Sequence, residues 1–63
     1  MTKLGRILKE RGIKQKWLAE KIGVSEATVS NWVKGRHTPQ PEFMFEFCRL
    51  LNIDVQDYLA EED

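Results

Sequence analysis

The chain of 63 residues has one cysteine, one histidine, two prolines and no net charge. A lone Cys48 cannot close an intramolecular disulfide, which excludes the stapled secreted scaffolds to which many chains this small belong. No apolar run approaches the ~20 residues needed to span a bilayer, and the N-terminus lacks the apolar stretch of a secretory signal, so the expectation is a soluble, cytoplasmic protein. His37 and Cys48 have no partner at metal-ligand spacing, and no metal or other cofactor is expected. There is no carboxylate pair, nucleophile triad or phosphate-cradling glycine loop, so neither an enzyme nor a small-molecule site is expected. A chain of this length buries only about 60% of its unfolded surface, too little to shape a deep catalytic cleft and support it. The reading is one domain over 1–63, acting as a binding module.

The balanced charge conceals an uneven distribution. Residues 1–36 carry nine basic side chains (Lys3, Arg6, Lys9, Arg11, Lys14, Lys16, Lys21, Lys34, Arg36) and three acidic ones. Residues 37–63 carry one, Arg49, against seven acidic groups. A polyanion responds to the field of the face it meets rather than to the net charge, so the N-terminal half remains a candidate nucleic-acid surface. The plainer alternative is a solvated surface whose two halves attract each other within the fold.

Glycines divide the chain. Gly12, Gly23 and Gly35 each follow a stretch with helical apolar spacing and read as left-handed caps. The first helix runs from about Lys3 to Arg11, capped by Thr2, with Leu4, Ile7 and Leu8 on one face. The second spans about Gln15 to Ile22 with Leu18, Ala19 and Ile22 inward. The third spans Glu26 to Lys34 with Ser25 as N-cap, Val29, Trp32 and Val33 inward, and Glu26, Ala27, Thr28, Ser30 and Asn31 as its polar face. A fourth starts near Pro41 and runs to Leu51, where Asn52 can take the left-handed conformation. Asp54 caps a fifth, Val55 to Ala60, and the Glu61-Glu62-Asp63 tail is expected to fray. Nothing alternates with period two, so the fold class is all-α, with five helices.

The second and third helices, joined by a glycine-containing turn of about four residues, have the form of a helix-turn-helix unit, whose second helix can lie in the DNA major groove. The pattern Gln15-x-x-Leu18-Ala19-x-x-x-Gly23-Val24-Ser25-x-x-x-Val29-x-x-Trp32 resembles the signature of the phage repressor and Cro-like helix-turn-helix family. Leu-rich helix 1, the Gly35-to-Pro39 loop, helix 4 with Met44, Phe47, Cys48 and Leu51, and the closing Ile53-x-Val55-x-x-Tyr58-Leu59 extend the likeness over nearly the whole chain. It implies a compact five-helix, lambda-repressor-like domain that binds double-stranded DNA and regulates transcription. On this likeness Glu26, Ala27, Thr28 and Asn31 read bases, while Gln15 takes a backbone phosphate at the start of helix 2. Lys34, Arg36 and His37 match further phosphate positions, and Lys14, Lys16, Trp17, Ser25 and Ser30 join that set. Asn suits adenine, the Ala and Thr methyls suit a thymine methyl, and a glutamate can accept from cytosine N4.

One recognition helix covers few base pairs, so a homodimer on paired half-sites is expected, with Phe43, Phe45, Val55 and Tyr58 as candidate interface residues. The expected setting is a bacterial, phage or plasmid regulator.

Four departures from the family pattern matter. Glu26 stands where Gln, Arg or Pro is more usual, and can alternatively stabilise the N-terminus of helix 3. Trp17 occupies a site that is usually polar, where its indole either donates to a phosphate or packs over helix 1 or helix 4. Lys14 replaces the usual Ser or Thr cap of helix 2, giving up a cap and adding a charge. Leu8 and Val33 replace an Arg–Glu pair across helices 1 and 3, a double replacement that need not cost stability, and they are expected to meet. A second function stays open: a protein-interaction module of the same fold, such as an antitoxin or phage anti-regulator.

Overall fold

The computed structural model describes residues 2–60, most of them in five helices: α1 (Lys3–Arg11), α2 (Gln15–Ile22), α3 (Glu26–Lys34), α4 (Pro41–Leu50) and α5 (Val55–Ala60). No strand occurs among the described residues. The bounds match the sequence reading except at α4, which stops one residue early because Leu51, at φ −92° and ψ 1°, has already left helical geometry. The acidic tail lies outside the described residues.

The helix ends explain the segmentation. Thr2 Oγ1 accepts from the Gly5 amide and donates to the Val33 carbonyl at 2.8 Å, so one hydroxyl starts α1 and pins it to the end of α3. Four helices then close in the same way. The amides of Ile13, Val24, Arg36 and Ile53 donate to the carbonyls of Leu8, Ala19, Asn31 and Cys48 at 2.8–3.0 Å, each across a residue with positive φ. At the fourth of these that residue is Asn52, at φ 58°, as the sequence suggested. These bonds satisfy carbonyls that a helix end leaves open. Ile13, Val24 and Ile53, the residues after three of the caps, fold back onto the core. Asp54 starts α5 by accepting from the Gln56 amide at 2.8 Å.

The apolar stripes converge on one core of Leu4, Leu8, Leu18, Ala19, Val29, Trp32, Phe47, Cys48 and Leu51. Aromatic rings run through it, with Trp32 centred 5.7 Å from Phe43 and 6.1 Å from Phe47, and Phe47 meeting Tyr58 edge-on at 5.4 Å. α2 packs most closely on α3, α1 lies against α3, and α4 bridges α2 and α5. Leu8 and Val33 line one groove. Two cations of the basic half serve the fold itself: Arg11 Nη1 donates to the Leu51 carbonyl, and Lys3 Nζ reaches the Asp57 carbonyl at 3.3 Å while lying 5.2 Å from the centre of the Tyr58 ring. Cys48 is wholly buried, and burial pushes its thiol up, with Lys3 opposing and nearby Asp54 adding to the shift. A thiol so placed is mostly protonated at neutral pH and inert as a nucleophile.

Candidate nucleic-acid interface

The turn between α2 and α3 sets the geometry. The amides of Gly23 and Val24 both donate to the Ala19 carbonyl, at 2.8 and 3.0 Å. Gly23 sits at φ 90°, and a Cβ built there would meet nothing within 4 Å. The glycine is therefore required by its backbone conformation rather than by crowding. Ala19 is buried between the helices, and Val29 and Trp32 hold the inner face of α3 in the core. With that face fixed, Glu26 and Ala27 stand exposed, and Thr28, Ser30 and Asn31 are half-buried along its edge.

Ser25 caps α3, its Oγ accepting from the Thr28 amide at 3.1 Å and lying 2.8 Å from Thr28 Oγ1. The side chains of Glu26 and Asn31 have no hydrogen-bond partner among the described residues, and both remain available to a ligand. The Asn31 carbonyl accepts from the amides of Arg36 and His37, at 2.9 and 3.4 Å, which folds the loop back below the helix. Lys34, Arg36 and His37 are all exposed there.

The start of α2 presents a second group. Lys14, Gln15, Lys16 and Glu26 share a groove with Leu8, Lys9, Ile13 and Val33, so the beginnings of α2 and α3 open side by side. Lys14 occupies the N-cap position in extended geometry and makes no side-chain cap bond. The first amides of α2 thus lack a side-chain acceptor, and together with the helix dipole they favour an anion. Lys14→Ser is expected to supply the missing cap and stabilise the domain by about 0.5–1 kcal/mol. The same change should weaken binding to DNA and lower its salt dependence, which urea unfolding and DNA titration on one preparation will check.

The remaining predicted residues fall in different places. Trp17, 40% exposed, shares a shallow depression with Gly12, Ile13 and Lys14, and Lys21 Nζ lies 5.8 Å from the centre of its ring. The indole therefore lies against the α1–α2 connection. His37 lines a separate depression with Thr2, Lys3, Trp32 and Tyr58, away from the groove at α2. Of the four candidate interface residues, Phe43, Val55 and Tyr58 are half-buried against the chain's own core, Phe43 beside Trp32 and Tyr58 edge-on to Phe47. Phe45 alone of the four is mostly exposed, at 57%. Leu50 and Leu59 are also exposed; for Leu59 this corrects the helical spacing, which puts it on the same face of α5 as Val55 and Tyr58.

Among the described residues no group of three His, Cys, Asp or Glu side chains could hold a metal ion. No helix among them is long and apolar enough to cross a membrane.

Comparison with known proteins agrees with this geometry. No curated protein matches the chain. Among solved structures, a crystallised protein from Bacteroides fragilis, named for DNA binding, is 30% identical to it. The match covers 89% of this chain and 90% of that one, with a TM-score of 0.81. The helix-turn-helix family model matches residues 4–58, which include all five helices but the first residue of α1 and the last two of α5. With that extent of match, and with α2, the Gly23 turn and α3 arranged as described, the chain belongs to the helix-turn-helix family.

Proposed function

We propose that this DNA-binding helix-turn-helix protein reads a specific operator in double-stranded DNA, as a homodimer, and represses transcription by occupying it. The supporting observation is the outward edge of α3: Glu26, Ala27, Thr28 and Asn31 are exposed or half-buried there, and the side chains of Glu26 and Asn31 have no hydrogen-bond partner among the described residues. In this reading those four residues meet base edges in the major groove, and phosphate contacts flank them on two sides. Gln15, with Lys14, Lys16, Trp17, Ser25 and Ser30, takes one side, and Lys34, Arg36 and His37 take the other. The phosphate contacts position the helix and supply affinity, and the base contacts choose the sequence. The acidic half of the chain is then held away from the polyanion, in the cytoplasm of a bacterial or phage-infected host.

Selection of bound duplexes from a random DNA pool at moderate salt tests the proposal. The expected product is an inverted repeat with half-sites about one turn, roughly 34–36 Å, apart. Single half-sites would remove the dimer. Absence of enrichment would remove sequence-specific binding. A second reading, a protein-interaction module, is favoured by the exposure of Phe45 and Leu59, at 57% and 51%. Salt separates the two, because releasing counterions from several phosphates makes DNA affinity fall steeply with ionic strength, whereas an aromatic interface is far less sensitive.

A further inference from the structure

The start of α3 turns its hydroxyls toward each other and leaves methyl groups at its edge. Thr28 Oγ1 lies 2.8 Å from Ser25 Oγ, and the Thr28 amide donates to that same oxygen at 3.1 Å. Threonine is stiff about χ1, so holding Oγ1 on Ser25 also fixes Cγ2 in one staggered position, away from the cap. Ala27, just before it, is exposed and carries only a methyl. Between Glu26, which can only accept while ionised, and Asn31 one turn later, residues 27 and 28 therefore offer a base two apolar atoms.

The major-groove edges of the bases carry one feature that such atoms reward, the methyl on pyrimidine C5. Thymine and 5-methylcytosine share it. They differ at C4, where one presents an acceptor oxygen and the other a donor nitrogen, and neither Ala27 nor the Thr28 methyl can distinguish these.

We propose that Ala27 and the Thr28 methyl form a detector of pyrimidine 5-methyl groups, one that gains the same factor from the methyl of 5-methylcytosine as from that of thymine. The ligand class is thus DNA whose affinity for this protein changes on cytosine methylation. The inference rests on the base-reading role proposed for α3.

The test uses the whole chain and synthetic duplexes carrying the selected site. At each pyrimidine two comparisons are made, each altering a single methyl group: thymine against uracil opposite adenine, and 5-methylcytosine against cytosine opposite guanine. At one or two positions per half-site, losing the methyl is expected to weaken binding about fourfold in both comparisons, as for burying one methyl-sized group. Thr28→Ser keeps the hydroxyl and its bond to Ser25 but lacks the methyl, and should shrink both factors. Thr28→Val keeps a methyl at that place and should retain them.

Equal affinities in both comparisons at every position would overturn the detector, as would a thymine effect with no matching 5-methylcytosine effect, or full factors in Thr28→Ser. In each of those cases a selected site is still bound, so the role of α3 survives. If no sequence is selected at all, that role fails and the detector fails with it.

Discussion

Phe47→Ala is expected to lose about 3–5 kcal/mol of stability, the usual range for emptying a buried aromatic site. Phe47 has no exposed surface, and its ring lies 6.1 Å from Trp32 and 5.4 Å from Tyr58, so its removal opens a void between α3, α4 and α5. A domain of this length has only roughly 3–9 kcal/mol in total, so the loss takes a third or more of its stability. Urea unfolding followed by far-ultraviolet circular dichroism measures the change. Phe45→Ala, on the same helix but 57% exposed, should stay within about 0.5 kcal/mol of the parent. Equal losses from the two would contradict the packing described for α4.

The second large effect concerns DNA. Reversing both exposed charges at the end of α3 and just beyond it, in Lys34→Glu with Arg36→Glu, should weaken binding about a hundredfold for every duplex, taking about 1.5 kcal/mol for each charge-assisted hydrogen bond to phosphate that is removed. The slope of log affinity against log salt should become shallower by about two. Asn31→Ala should leave that slope unchanged and alter the preferred sequence. Titrations at several salt concentrations, with the selected and a scrambled duplex, distinguish the two behaviours. A sequence-dependent loss in the charge-reversed protein would mean that these residues choose bases as well as hold phosphate.

Much of this architecture is legible in the residues because it depends on local rules. Gly12, Gly23 and Gly35 could be placed at helix ends because positive φ selects glycine, and Thr2, Ser25 and Asp54 at helix starts because their oxygens can accept from nearby amides. Helical spacing assigned Leu18, Ala19, Val29 and Trp32 to the core for the same reason. Where the stripe is too wide, spacing gives no answer. α4 carries Phe43, Met44, Phe45, Phe47 and Cys48 within six positions, and only the placement of α3 and α5 decides that Phe43 stacks on Trp32 while Phe45 faces out.

Residues with two uses are harder still. Lys3 and Arg11 count toward the basic half in the sequence, yet in the fold Lys3 lies over Tyr58 and Arg11 binds the carbonyl of Leu51, forty residues on. Likewise, the Thr28 hydroxyl reads from sequence as a free polar group, and only the cap geometry turns it toward Ser25.

The tight helix-closing turns also set a clock. α2 finds its closest partner, α3, across a three-residue link, and the longest connection in the chain, between α3 and α4, is six residues. Little chain must be searched before contacts form, and helical domains with such local pairing fold in microseconds to milliseconds. Synthesis of 63 residues takes roughly 3–13 s at ordinary ribosomal speeds. A molecule that unfolds is therefore restored long before the cell could replace it, so its supply of folded copies is governed by synthesis and proteolysis rather than by refolding.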